Sequence, residues 1–97
     1  MSRVVVYVVE RYLPGISDED LRLLIGRLGG VARELQAEGT DVTYLGSTIV
    51  PGDESCFCQF EAPSEEAVAE ANRRAGVPYD RIVSGLAVMP ERTEEGE

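Results

Sequence analysis

The sequence of 97 residues contains no histidine, only two cysteines, and no apolar run long enough to cross a bilayer. The lack of histidine excludes Ser-His and Cys-His nucleophile pairs, imidazole ligation of haem and the usual proton shuttle at neutral pH. A glycine-rich nucleotide-binding fingerprint is also missing. Any catalysis would therefore depend on carboxylates, thiols or tyrosines whose pKa values are shifted by their surroundings.

Positive charge is scarce as well. The chain has 18 acidic residues and 9 basic ones, and its net charge of -9 argues against nucleic acid or an anionic membrane surface as a partner. Part of the acidity lies in residues 90–97, which have no apolar periodicity. We therefore predict a single domain over residues 1–89, followed by an acidic, disordered tail over residues 90–97.

The apolar run at residues 4–9 ends at Glu10 and Arg11. It is too short to span a bilayer, and it lacks the small-residue cleavage pattern of a signal peptide. We expect a cytoplasmic protein that does not contact membranes, with both cysteines as reduced thiols.

Six structural elements are predicted. Ser17 and Ser64 are good N-caps followed by acidic residues, while Gly39 and Gly76 are suited to end the two helices. Runs of β-branched and aromatic residues predict the strands. The predicted order is a strand at 3–10, a helix at 18–38, strands at 41–50 and 55–61, a helix at 65–75 and a strand at 80–89.

The order βαββαβ predicts a ferredoxin-like α+β fold. Right-handed crossovers arrange its four antiparallel strands in the order 4-1-3-2 and place both helices on one face. The first strand is apolar on both sides, so the open face of the sheet needs a cover. We predict a homodimer through that face, a dimeric α+β barrel. The surface would consist of Val5, Tyr7 and Val9 or their alternates, together with Leu45, Ile49 and Phe57.

The two cysteines lie two residues apart on the third predicted strand. Cys56 and Cys58 therefore share a face with Phe60, and the apolar character of this set predicts that it points under the helices. Packing in the core is the interpretation that the pattern favours. Ligation of a soft metal, completed by acids or by a partner subunit, and a reactive thiol are the alternatives.

One group of polar residues meets at a single end of the predicted sheet. The end of the first strand lies beside the start of the third and fourth strands and the last turn of the second helix. The candidate ligand-binding residues are Glu10, Arg11, Cys56, Cys58, Asn72, Arg73 and Asp80. A solvated rim with an Arg-Glu ion pair is the alternative interpretation.

Four segments carry a family resemblance: VERYLPGIS at 9–17, YLGS at 44–47, CFCQFEAPS at 56–64 and ANRRAG at 71–76. Together the segments resemble the small nickel-responsive, nickel-binding proteins of bacteria. The resemblance covers roughly residues 4–88 and implies a ferredoxin-like dimer. Where typical members have histidines that are thought to bind the metal, this chain has Glu10, Asn72 and Gly76. Nickel or another divalent ion is the cofactor that the resemblance implies, with Glu10 as the candidate ligand.

These observations predict a non-enzymatic accessory protein that binds a small ligand or a metal ion in a polar pocket near Glu10 and Asn72. One alternative is a cofactorless enzyme of the oxygenase or isomerase type, as found among dimeric α+β barrels. The other is a nickel-binding protein like those that the sequence resembles.

Overall fold

The structure, a computed structural model, describes residues 2–90, so residues 91–97 of the predicted tail lie outside the described part of the chain. The predicted ferredoxin-like order of elements is confirmed. The elements are β1 (Ser2–Tyr12), α1 (Asp18–Ala37), β2 (Thr43–Val50), a 3-10 turn (Pro51–Asp53), β3 (Ser55–Glu61), α2 (Glu65–Ala75) and β4 (Arg81–Met89).

Both helices begin at the predicted serine caps. The Ser17 hydroxyl accepts a hydrogen bond from the Asp20 backbone N–H at 3.1 Å, and Ser64 accepts one from Ala67 at 3.2 Å. Gly76 ends α2 in the left-handed conformation, with φ at 71°. The helix ends are thus determined locally, while the buried aliphatic residues of α1 hold it on the sheet. Among residues 2–90, no helix is sufficiently long and apolar to cross a membrane.

The sheet is fully antiparallel, with the order β2-β3-β1-β4. This is the predicted order 4-1-3-2, and it places β1 between β3 and β4. Across β1 and β3, Arg11 is opposite Cys56 and Val9 is opposite Cys58. Opposing residues in an antiparallel pair project to the same side of the sheet. The register therefore brings the end of β1 to the two cysteines.

The helices cover the face that carries Val9, Cys56, Cys58 and Phe60, which are all closed to solvent. The prediction that the cysteines point under the helices is confirmed. Val5, Tyr7 and Val9 lie on this same side, as does Ile49, so they do not belong to the open face. The alternates on β1, Val6 and Val8, lie on the open face instead, because successive side chains of a strand alternate. The predicted Phe57 lies there too, and so does Val83, which the sequence argument did not name.

Candidate functional site

Arg11 is a charged side chain in the interior, at the end of β1. It is only 2% exposed, and its two terminal nitrogens donate to the Pro78 carbonyl oxygen at 3.0 Å and to Asn72 Oδ1 at 2.7 Å. Its Nε is buried, and no group among residues 2–90 accepts a hydrogen bond from it. Both partners of this cation are neutral, so its charge is not balanced by them.

Asn72 holds the guanidinium from α2. Its side chain is fully buried, and its amide N–H donates to the Val68 carbonyl oxygen one helical turn earlier, at 2.8 Å. This hydrogen bond orients the amide so that its oxygen is directed at Arg11. The helix therefore supplies a rigid acceptor under the end of the strand.

The two cysteines form a close pair of free thiols. The distance between Cys56 Sγ and Cys58 Sγ is 3.6 Å, and the Ser47 hydroxyl donates to Cys58 Sγ at 2.9 Å. Ser47 also contacts the hydroxyl group of Tyr44. Ser47 and Tyr44 are thus the polar neighbours of the sulfur atoms on β2.

The site residues Tyr44 and Ser47 were missed by the sequence argument because strict alternation would put positions three apart on opposite faces. A β-bulge between Tyr44 and Gly46 shifts the register, so that Tyr44 is opposite Phe60 and Ser47 is opposite Cys58. Gly46 adopts a φ of 129°, which favours glycine. The glycine in the segment YLGS was the available signal for the bulge.

The two thiols titrate very differently. The hydrogen bond from Cys56, with further help from Ser47 and the positive charge of Arg11, outweighs burial and lowers the pKa of Cys58 to about 6. The same thiol–thiol hydrogen bond, together with burial, raises the pKa of Cys56 far above its usual range. The pair therefore favours a proton on Cys56 and negative charge on Cys58.

A cleft of about 240 Å³ lies beside this pair, between the β1–α1 loop and the β2–β3 turn. Its walls are mainly apolar, with Leu13, Ile16 and Ile49 among the lining residues, and Cys56 also lines it. Glu54 shapes the rim: it adopts the left-handed conformation, with φ at 53°, and its carboxylate accepts a hydrogen bond from the Gly15 N–H at 3.1 Å.

The other predicted site residues lie around this centre rather than in it. Glu10 accepts a hydrogen bond from Arg81 at 3.0 Å on the open side of the sheet. This is an Arg-Glu ion pair of the kind expected for a solvated rim, the alternative interpretation of the sequence. The Asp80 carboxylate accepts from the Tyr12 backbone N–H at 2.9 Å, so it stabilises the end of β1. Arg73 is exposed and pairs with Glu70.

The structure thus brings together four of the predicted residues: Arg11, Cys56, Cys58 and Asn72. We call these four the thiol–guanidinium cluster. It can hold a negative charge on sulfur next to a buried cation, and its two sulfur atoms are soft donors. Among residues 2–90, no three or more acidic, cysteine or histidine side chains are grouped so that they could hold a metal ion.

The fold and this cluster define a small ferredoxin-like α+β protein with a buried thiol pair. A family model described as "Nickel responsive protein SCO4226-like" matches residues 7–84, and the chain belongs to this family. The structure is similar to the crystal structure of SCO4226 from Streptomyces coelicolor A3(2), with a TM-score of 0.68 and 23% sequence identity over 80% of this chain and 91% of that one. This likeness shows the same fold. A comparison with curated proteins gives no match.

The residues of this chain do not fit an imidazole-based nickel site. The sequence has no histidine, and the resemblance assigns Glu10, Asn72 and Gly76 to the corresponding positions. Glu10 lies on the open side of the sheet and pairs with Arg81, whereas Asn72 is buried under the helix-covered side and bonds to Arg11. These side chains therefore do not converge on one ion.

Proposed function

We propose that the protein is a non-enzymatic, cytoplasmic accessory protein that binds a metal ion at the thiol–guanidinium cluster. The observation that carries this proposal is the pair of sulfur atoms 3.6 Å apart next to a buried guanidinium that has no carboxylate partner among residues 2–90. Of the predicted polar pocket near Glu10 and Asn72, this proposal keeps the buried part, which contains Asn72, and leaves out Glu10. The thiols must be reduced, which fits the location predicted from the sequence.

The spacing of the sulfur atoms supports a shared ion. With metal–sulfur bonds of about 2.3 Å and a tetrahedral angle, two ligating sulfurs lie about 3.8 Å apart. The Cys56–Cys58 distance of 3.6 Å is close to this value, so one ion could join them without a change in the strand. Cysteine spacing of i, i+2 on a strand suits such a chelate better than a disulfide, whose Cα separation would be near its upper limit of about 7 Å.

The family name makes nickel the first ion to test. Nickel accepts thiolate as well as imidazole ligands, so a thiol centre is the way in which this chain could respond to nickel without histidine. Glu10 remains a candidate ligand from the sequence prediction, on the far side of the sheet. The variant Glu10→Gln distinguishes a metal site at the thiols from one at Glu10.

Calorimetric titration of the reduced protein with nickel, copper, zinc and manganese ions tests the proposal. We expect one ion per chain with a rise in melting temperature, and loss of both in Cys56→Ser and Cys58→Ser. Glu10→Gln serves as the control that should bind unchanged. Absence of heat and of any melting shift with all four ions would contradict metal binding altogether.

We also propose that the protein is a homodimer through the open sheet face. Both helices pack on the other face, and Val8, Phe57 and Val83 are only half-buried on the open one. Burying such a row of apolar side chains against its symmetric copy gives an isologous interface. The predicted partner, a second copy of the chain, is unchanged. The proposed interface uses Val6 and Val8 of β1 in place of Val5, Tyr7 and Val9.

A small organic molecule is the second candidate ligand, favoured by the apolar walls of the cleft beside Cys56. A cofactorless enzyme would also need a carboxylate free to move protons. Glu54, at the rim, instead accepts hydrogen bonds from the Tyr12 hydroxyl and the Gly15 backbone N–H. A rise in melting temperature with small apolar molecules, larger than with charged molecules of the same size, would support occupation of the cleft by organic ligands.

A further inference from the structure

The charge of the thiol–guanidinium cluster limits which metal ion it can accept. Arg11 carries one positive charge, and its hydrogen-bond partners, Asn72 and Pro78, are neutral. The ion pairs found among residues 2–90 involve Arg73, Arg74 and Arg81, and none of them includes Arg11. Within the described chain, a sulfur anion is therefore the available counter-charge for this buried cation.

We propose that the cluster selects a monovalent, thiophilic metal ion, of which Cu⁺ and Ag⁺ are the accessible examples, bound between Cys56 and Cys58 with Arg11 as the counter-charge. This inference rests on the proposed function, because it requires that a metal ion bind the thiols at all. It goes further by stating the charge and the chemical class of the ion, which differ from those of nickel.

Binding exchanges protons for a metal ion. The ion forms bonds to both sulfur atoms, which lie 3.6 Å apart, and the protons that the thiols still carry leave to solvent. Two thiolates and a monovalent ion then carry a single negative charge, which Arg11 balances.

A divalent ion would break this balance. Two thiolates and a divalent ion sum to zero, so the charge of Arg11 would be left uncompensated in the interior. A net charge in a poorly hydrated interior is strongly disfavoured, because neither water nor a counter-ion stabilises it. The position of Arg11 thus discriminates against Ni²⁺ and Zn²⁺ by charge rather than by size.

The number and type of the metal ligands also favour a monovalent ion. The cluster offers two soft sulfur ligands, and no third cysteine or acidic side chain gathers with them in the described chain. Zinc sites in proteins are usually tetrahedral and need four ligands. Soft thiolates select Cu⁺. A monovalent thiophilic ion therefore suits this pair of sulfur ligands better than a divalent ion that needs a full tetrahedral set.

The cleft provides a route of entry to the thiols. Cys56 lines it, with the apolar side chains of Leu13, Ile16 and Leu21 around the same space, and the carboxyl residues Asp18 and Glu54 also belong to its lining. A weakly hydrated monovalent ion, or its neutral complex with a small thiol, loses less hydration than a divalent ion on passing the apolar part of these walls. Leu21 belongs to α1, so packing of that helix over the sheet closes the site.

The experiment is a competition for Cu⁺ between the reduced, intact protein and a chromophoric Cu⁺ chelator under anaerobic conditions, repeated with Ag⁺, Zn²⁺ and Ni²⁺. We expect one monovalent ion per chain, release of protons as the thiols bind it, and tighter binding of Cu⁺ than of either divalent ion. Cys56→Ser and Cys58→Ser should abolish this binding. Proton release is read from calorimetry in buffers of different ionisation enthalpy.

Arg11→Met tests the counter-charge, because methionine fills similar space without charge. We expect Cu⁺ affinity to fall about 10- to 100-fold, the usual effect of removing a residue that supports metal ligands, while Zn²⁺ affinity rises. Arg73→Met, an exposed arginine of α2, is the matched control and should leave all affinities unchanged. If Arg11→Met does not fold, the preference of the unmodified protein for Cu⁺ over Zn²⁺ and Ni²⁺ still decides.

The outcomes separate the two proposals. Tighter binding of Ni²⁺ or Zn²⁺ than of Cu⁺ at the cysteines would overturn the inference of a monovalent ion and leave the proposed metal-binding function standing. Failure of every ion to bind at the cysteines would overturn both. A preference for Cu⁺ that persists undiminished in a folded Arg11→Met variant would overturn the role of the counter-charge.

Discussion

At the scale of single residues, Arg11 and the cysteines depend on each other. A guanidinium at 2% exposure would be strongly unfavourable alone, but it lies beside a thiol whose pKa is lowered to about 6. Asn72 and Ser47 add hydrogen bonds that keep the cation and the sulfur in place. The chemistry of the site therefore comes from ordinary residues that burial has made interdependent.

The lowered pKa of Cys58 predicts a pH-dependent stability. A cysteine thiol in the unfolded chain has a pKa of about 8.5. The Cys58 thiolate therefore contributes its full stability above that pH, and the contribution is lost as the pH falls through about 6. Cys56, whose pKa is raised, lowers stability only above about 8.5, where the unfolded chain loses that proton first. Between these values, the free energy of unfolding should rise with pH.

Urea denaturation at several pH values across this window, together with the ultraviolet absorbance of thiolate, measures both effects. In Cys58→Ser we expect neither the rise in stability nor a thiolate that titrates near pH 6. An unmodified protein in which both thiols titrate near their ordinary values would contradict the described hydrogen bonding of the pair.

Asn72→Ala should destabilise the fold by removing the acceptor of a buried charge. The guanidinium would keep a buried N–H without a partner, and such a loss costs about 1–3 kcal/mol, or more for a charged group. The free energy of unfolding, measured in urea, reports this loss. Arg73→Ala, the next residue on the helix but exposed, should cause no measurable change; equal stability of the two variants would contradict the role of Asn72.

At the scale of elements, the β2–β3 hairpin decides which side chains reach the sulfur atoms. The bulge at Leu45 and Gly46 lets Tyr44 and Ser47 face the same side, which a regular strand would not allow. The turn that follows directs Glu54 back to the β1–α1 loop, where its carboxylate and its carbonyl oxygen hold Gly15 and Leu13. The same hairpin therefore supplies both the polar side chains next to the sulfur atoms and the rim of the cleft.

Gly46→Ala should weaken this hairpin. At a φ of 129° a residue with a Cβ is strained, which costs about 1–3 kcal/mol, even though open space surrounds the position. Gly26→Ala, in the exposed interior of α1 with equally open space, should instead stabilise the protein by about 1 kcal/mol. Opposite shifts in melting temperature are the expected result, and a shift of the same sign would contradict the bulge.

At the scale of the whole molecule, the sheet has one covered and one open face, and the proposed dimer uses the open one. The apolar side chains on it belong to three adjacent strands: Val6 and Val8 of β1, Phe57 of β3 and Val83 of β4. A contiguous apolar surface of this kind in a small acidic protein is typical of an interface.

Val83→Glu should convert the proposed dimer into a monomer, because it places a charge within the apolar surface that the two copies would bury. Leu23→Glu, at an aliphatic residue of α1 that is 58% exposed, is the control and should leave the dimer intact. Light scattering coupled to size exclusion measures both masses. A monomeric mass for the unmodified protein at micromolar concentration would contradict the dimer itself.

The sequence by itself determined the elements, their order and the strand pairing, because serine caps, glycine stops and the clustering of β-branched residues act locally and leave few topologies for a βαββαβ chain. It also predicted the buried face of Cys56 and Cys58, since residues two apart on a strand share a side. Only the tertiary structure decided that Arg11 is buried while Glu10 faces outward, and that a bulge brings Ser47 to the sulfur. Those outcomes depend on register and on contacts between residues far apart in the chain, such as Arg11 and Asn72, which no local pattern encodes.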